Sequence, residues 1–371
     1  CDGGKVGETT DNYLITDKGG KFSSFILKTK NSYGQSSPGI SVTSIETGLP
    51  VLVFTTSDGN DVLKDDFYVE SSFDLYFDGK VEKYEKTKIS VRGNATAGYP
   101  KKPYKIKLDK KTALLGMKSE AKKWTLLAGY CDKTLLRTEL GFKTAEILGM
   151  EYVPDRRFVD VFVNNEYKGN YLLCDSVEQN SHKVNEININ DRVPIDKDTG
   201  CIIEIDDGYY AGEPYYFTTS NKGYHYTFKH PDGEDIANND NDAVTIAHYI
   251  ESYMNEFETV LLSEDYNNSE TGYSKYIDVE SFVQWLLVQE ITANQDPNLY
   301  FYKYDNTENS KLKRGPVWDF EWSVGIGWYY GNRPKDASGW YETTSPYYEY
   351  LLNDSDFTDK IKALWDSKSS D

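Results

Sequence analysis

The sequence predicts an α+β fold, with strands before about residue 206 and helices dominating after about 237. Three observations carry that expectation. Short runs that alternate apolar and polar residues, bounded by Gly, Pro, Asn and Asp, recur between Leu49 and Asp206. Two later stretches, beginning at Asp242 and Asp278, repeat apolar residues at helical spacing instead. The 31 Tyr and 7 Trp in 371 residues supply the bulky side chains that sheets favour.

Residues 1 to about 45 are polar and rich in Gly, Ser and Thr, and read as a tether with short strands such as Phe25-Ile26-Leu27. Strands follow at Pro50-Val51-Leu52-Val53-Phe54, at Ser72 to Phe77 and at Lys88 to Arg92. The composition of Gly93 to Pro100 is that of a loop, and Tyr104 to Leu108 alternates as the next strand. The first helix covers roughly 133–149, capped by Asp132 and closed by Gly149, with Leu135, Leu136, Leu140, Phe142, Ile147 and Leu148 on its apolar face. Phe158 to Val163 and Gly169 to Cys174 flank the turn Asn164-Asn165-Glu166-Tyr167 and form a hairpin. Gly200 to Asp206 is a strand that ends in acids. Helices are expected from Asp242 to about Ser263, after the cap Asp278, and over the tail 347–367.

A formal charge of −19 argues against a nucleic-acid groove, because the phosphate backbone would be repelled. It does not exclude a nucleotide held through a divalent ion or a local basic cluster. Neither the four Cys nor the four His fall at metal-site spacings. Cys1, followed by Asp2-Gly3-Gly4-Lys5, resembles the start of a mature bacterial lipoprotein. The expectation is an extracellular or cell-surface protein, with any membrane link made through a lipid on Cys1. No apolar run approaches the ~20 residues of a membrane span.

The chemistry concentrates at the two ends of the charge pattern. From Asn294 to Trp322 the chain reads Asn-Gln-Asp-Pro-Asn, a strand run Leu299 to Tyr304, a polar turn, a second run Lys311 to Trp318, and then Asp319-Phe320-Glu321-Trp322. A hairpin there returns the chain to its start and places Asp296 and Asn298 near Asp319. Two acids and an amide suit a hard cation with its phosphate, although the same acids would serve equally as turn caps. The opposite constellation is Arg92, Lys101, Lys102, Lys105 and Lys107, on one strand–loop–strand unit of an acidic chain. It suits an anionic ligand, and it would also serve as a solvated strand face.

These segments together resemble the CotH family of spore-coat kinases. The resemblance rests on Leu49-Pro50-Val51-Leu52-Val53, Arg92-Gly93-Asn94-Ala95-Thr96, Lys101-Lys102-Pro103-Tyr104, Leu114-Leu115-Gly116-Met117, Lys123-Trp124-Thr125-Leu126-Leu127-Ala128 and Asp132-Lys133-Thr134-Leu135-Leu136-Arg137. It continues through Asn164-Asn165-Glu166-Tyr167-Lys168-Gly169-Asn170-Tyr171-Leu172-Leu173, Gly200-Cys201-Ile202-Ile203-Glu204-Ile205-Asp206 and Gly315-Pro316-Val317-Trp318-Asp319-Phe320-Glu321-Trp322. It implies a divergent bilobal protein-kinase-like fold over 46–371, with a β-rich N-terminal lobe of about 46–180 and a more helical C-terminal lobe of about 181–371. It also implies transfer of phosphate from ATP to Ser or Thr of secreted or surface proteins.

The roles follow residue by residue from that resemblance. Asp296 is the acid that positions or deprotonates the hydroxyl. Asn298 and Asp319 hold Mg²⁺ or Mn²⁺. Lys102, Lys101 and Arg92 meet the phosphates, and Glu139 pairs with the lysine. The strand 169–174, leading to Asp175, offers main-chain groups to adenine. One residue, Pro297, separates Asp296 from Asn298, where a longer loop is expected. Two alternatives stay open. One is an inactive binding module of the same family. The other is a carbohydrate-active surface protein, with Trp328, Tyr329, Tyr330, Trp340, Tyr341, Tyr347 and Tyr348 lining a sugar groove and Glu204, Asp206 or Asp319 as its carboxylates.

Overall fold

The computed structural model describes residues 25–27, 33, 35, 40–42, 48–64, 67–177, 200–326 and 339–370. Cys1 and Trp328 to Tyr330, which carry the lipid-anchor expectation and part of the sugar groove, lie outside them. The chain divides into two compact units, residues 1–130 with 155–175 and residues 131–154 with 176–371.

The first unit holds a small antiparallel pair, β1 (Phe25–Leu27) and β2 (Ile40–Val42), and a closed barrel. The barrel strands are β3 (Val51–Thr56), β4 (Val69–Phe77), β5 (Lys80–Val91), β6 (Tyr104–Thr112), β7 (Ala121–Leu127), β8 (Arg156–Val163) and β9 (Glu166–Asp175). They run in the order β3-β4-β5-β6-β7-β9-β8. Two of the connections are two-residue turns with both central residues at positive φ, Asp78-Gly79 (50° and 70°) and Asn164-Asn165 (47° and 68°). That geometry matches the twist of the strands it joins. The ring closes where β3 runs parallel to β8, Val51 opposite Asp160. Alternate side chains then point inward, and Phe54, Leu75, Ile89, Ile106, Trp124, Val161 and Leu173 fill the interior.

The second unit carries α1 (Arg137–Ile147), β10 (Cys201–Ile205), β11 (Tyr216–Thr218), β12 (His225–His230), α2 (Gly233–Ala237), α3 (Asn241–Leu261), α4 (Val279–Thr292), β13 (Leu299–Lys303), β14 (Lys313–Arg314), α5 (Tyr348–Leu351) and α6 (Ser355–Lys368). Its sheet order is β11-β12-β10-β13-β14. α3 buries one stripe, with Ile246, Ile250, Met254, Phe257 and Leu261 inside. α4 buries Phe282, Val283, Trp285, Leu286, Leu287 and Val288 around most of its circumference, and packs against α1, α6 and β14. The buried Arg314 guanidinium lies between the Trp285 and Phe301 rings at 4.0 and 4.1 Å, so its charge rests on two π faces.

The bilobal kinase-like expectation is overturned by the closed seven-strand barrel. The described residues are β-rich with six α-helices, and they contain no kinase-like helical lobe. The cause is the parallel pairing of β3 with β8, which joins strands more than a hundred residues apart and leaves no local mark. Local corrections are smaller. Asp132 does not cap α1, whose N-cap Leu136 has no side-chain bond. Its carboxylate organises the turn before the helix instead, accepting from Thr134 N–H (2.9 Å) and Arg137 N–H (2.9 Å). α3 starts at Asn241 rather than Asp242, and Asp240 caps it. The tail helix is broken, and Asp354 caps its second piece.

Candidate functional site

The acids of the second unit are placed by the end of α4. Asp278 caps that helix by accepting from Ser281 N–H (3.0 Å), and Ala293 ends it in the left-handed region (φ 45°). The turn buries Asn294 completely. Asn294 Nδ2 donates to Gln289 Oε1 (2.9 Å) and to the Asp319 main-chain oxygen (3.0 Å), and its Oδ1 accepts from Asp296 N–H (3.4 Å). One side chain therefore joins the segments that carry Asp296 and Asp319. Between them the hairpin forms, with Phe301 opposite Arg314 and Tyr302 opposite Lys313.

Asp319 also adopts the left-handed region (φ 59°), which Asp tolerates better than most residues. It is exposed, while Trp318 and Phe320 on either side are buried. Both rings pack on Phe142 of α1, with centroids at 5.9 and 5.8 Å. The following residues are held as firmly. Glu321 Oε1 accepts from Cys131 N–H (3.0 Å), Arg137 Nε donates to Ser323 O (3.0 Å), and Val324 N–H donates to Thr292 O (2.7 Å). Arg137 is anchored in turn by an ion pair with Asp132. Burial works to raise the Asp132 pKa, but donors from Thr134 and Arg137 outweigh it and hold the carboxyl below the usual Asp range.

Asp296 lies at the surface, yet protein crowds its carboxylate enough that lost hydration raises its pKa above the ordinary Asp value. Asn298 enters β13. Its Nδ2 donates to Glu204 Oε1 (2.7 Å), and Glu204 Oε2 pairs with Lys229 (3.0 Å). Asn298 Oδ1 is buried and meets no hydrogen-bond partner. A buried acceptor in that state is a place for a cation or a donor.

The first unit holds Arg92, Lys101, Lys102 and Asp175. Lys101 Nζ donates to the main-chain oxygens of Ala128 (2.6 Å) and Asn170, with its ammonium 4.6 Å from the Tyr171 ring centre. Lys102 Nζ donates to Ala97 O (3.0 Å) and Tyr99 O (3.5 Å), folding the loop after Arg92 onto itself. Arg92 N–H donates to Pro103 O (3.0 Å). Asp175 is fully buried and accepts from Ser119 Oγ. The strand before it pairs with β7 on one side and β8 on the other, so the main chain expected to meet adenine lies inside two ladders. Glu139 is half-buried in the first turn of α1, within the second unit.

No three His, Cys, Asp or Glu side chains form a metal-binding group among the described residues. Asp296, Asp319 and Asn298 offer two carboxylates and a carboxamide oxygen. Hard oxygen donors of this kind, with the Asn298 oxygen unpartnered, fit Mg²⁺ or Mn²⁺, which complete their shells with water and phosphate oxygens. The sugar-groove alternative loses two of its rings. Tyr347 and Tyr348 are core residues, Tyr347 bonding Glu258 (2.8 Å) and Tyr348 bonding Phe282 O (2.8 Å).

The sequence assigns no role to Asn294, Gly141 or Lys229. Asn294 opens the acidic stretch, and a polar residue just past a helix end is its only sequence signal. The chain is β-rich, and Asp296, Asn298 and Asp319 are the candidate hard-cation donors of its second unit. A family model described as CotH kinase protein matches residues 89–370, and the chain belongs to that family. The match spans all eight candidate residues, from Arg92 to Asp319. No curated protein matches the chain.

Proposed function

We propose that the protein is an ATP- and divalent-metal-dependent phosphotransferase acting on Ser or Thr of secreted or surface proteins. The observation that carries this reading is the Asn294 side chain, which binds the Asp296 N–H and the Asp319 carbonyl together. Asp319 and Asn298 would hold Mg²⁺ or Mn²⁺, and the ion would supply charge neutralisation at the phosphates. Asp296 orients the acceptor hydroxyl and takes its proton. A pKa above the ordinary Asp value makes it the stronger base. Arg92, Lys101 and Lys102 belong to the nucleotide phosphates in this reading, with Glu139 and Asp175 as supporting residues. A surface or extracellular location is part of the same proposal.

One observation favours a binding module without transfer. Lys101 and Lys102 already donate twice each to main-chain oxygens, out of three ammonium donors apiece. Thermal unfolding with ATP and Mg²⁺ or Mn²⁺, together with transfer of labelled phosphate to a generic Ser/Thr protein, separates the two readings. The kinase reading expects a metal-dependent rise in Tm that Asp319→Ala abolishes, and transfer that Asp296→Asn abolishes. A shift without transfer selects the binding module. No shift at millimolar ATP sinks both.

A further inference from the structure

We infer that Glu204 and Lys229 are positioning residues that fix the Asn298 carboxamide so that its oxygen, not its nitrogen, faces the cation. This rests on the metal reading of Asn298.

Sheet register sets up the arrangement. Glu204 of β10 lies opposite Tyr300 of β13 and opposite Thr227 of β12. Asn298 stands just before β13, and Lys229 is the extra residue at the register shift between the partners of Ile202 and Ile203, so it is their bonds to Glu204 that bring both side chains to it. Glu204 is buried, and its two oxygens are divided between them, Oε1 to Asn298 Nδ2 (2.7 Å) and Oε2 to Lys229 Nζ (3.0 Å). An ionised carboxylate only accepts, so the NH₂ end of Asn298 must turn toward it. The amide oxygen is thereby turned away, and it is the atom left buried without a partner. Lys229 holds the second oxygen of Glu204 in an ion pair. Burial opposes its ammonium, but the Glu204 carboxylate outweighs that cost and raises its pKa. A neutral amide at 204 would donate as readily as accept, and the orientation of Asn298 would no longer be specified.

The probe is Mn²⁺ alone, titrated against the full chain and followed by the electron paramagnetic resonance of the free ion. Glu204→Gln is expected to weaken binding by about tenfold, as loss of an outer-shell partner does. Adding Asn298→Asp to that variant is expected to restore it, because a carboxylate has no wrong orientation and the amide introduced by Glu204→Gln can donate to it. Binding unchanged in Glu204→Gln, or a double variant as weak as the single one, overturns the inference. A second readout needs no metal. With ¹⁵N-labelled asparagine, the Asn298 NH₂ signal should exchange slowly in the wild type and quickly in Glu204→Gln, and an unprotected wild-type signal also overturns the inference. A wild type that binds no Mn²⁺ overturns it together with the metal reading. A protected Asn298 NH₂ would then show that the reading failed and the orientation did not.

Discussion

Phe320 lies against the bare Cα of Gly141 in α1, so close that a methyl group at position 141 would occupy the space of the ring. Phe320 follows Asp319 directly, and the helix surface therefore sets where the acid stands. Ala at an ordinary helix position would be favoured over Gly by about 1 kcal/mol. Overpacking against a ring costs about 1–3 kcal/mol, and here it wins because Phe142 already flanks the ring. Gly141→Ala is expected to lower Tm and to weaken Mn²⁺ binding. A more stable variant with unchanged Mn²⁺ binding would refute the placement.

Asn294 faces two acceptors, Gln289 Oε1 and Asp319 O, and presents its amide nitrogen to both. Asn294→Asp keeps the shape and removes the donor, leaving three oxygens together in a fully buried place. An unpaired buried acceptor costs about 1–3 kcal/mol, and a buried carboxylate costs more. The expected order of stability is wild type, then Asn294→Ala, then Asn294→Asp, read from urea midpoints. Equal midpoints for the last two would mean that water reaches the site.

Local chemistry made much of this architecture legible. Asn164-Asn165 announces the hairpin of β8 and β9, although its turn takes two residues rather than the expected four, and Asp278 announces α4, because each is settled by residues within a few positions. β7 is obscured by Lys122 and Lys123, which break its alternation before Trp124 turns inward. Barrel closure is invisible because it depends on Val51 meeting Asp160. The acids of the site stand out in the sequence because hard donors are chemically conspicuous. The residues that place them do not. Asn294 and Gly141 act through a donor direction and through an absent side chain, and both meanings exist only once the hairpin has returned Asp319 and Phe320.

Lys303 of β13 gives the fold a pH signature. It is fully buried, donates to Asp305 O and Thr307 O (2.9 Å each), and has the Tyr253 ring centre at 5.0 Å. Burial pulls its pKa down to about 8, from about 10.4 in an unfolded chain. Between those values the unfolded chain keeps the proton and the folded chain does not, so stability rises with pH. A gap of that size is worth roughly 3 kcal/mol at most. Half-buried phenols such as Tyr249 and Tyr253 resist ionisation when folded, so stability turns down again above about pH 10. Urea midpoints are expected to climb from pH 8 to about 9.5 in the wild type and to stay flat in Lys303→Met. A climb of equal slope in the variant would assign the effect elsewhere.

Asp296 carries the opposite sign. Its folded pKa is raised by lost hydration, so the folded state holds a proton more readily than the unfolded chain does. Stability therefore falls as pH rises from the ordinary Asp value through the folded one, and the ionised carboxylate is a standing penalty at neutral pH. A residue kept in spite of such a penalty is typical of sites where function and stability compete. Asp296→Asn is expected to raise Tm at pH 7 while abolishing phosphate transfer. The gain should shrink toward pH 3, where the wild-type carboxyl is protonated and neutral like the amide. Calorimetry of both proteins across pH 3–7 checks this. A variant less stable than wild type at pH 7 would show that Asp296 holds the loop together, and its role as the base would then rest on transfer assays alone.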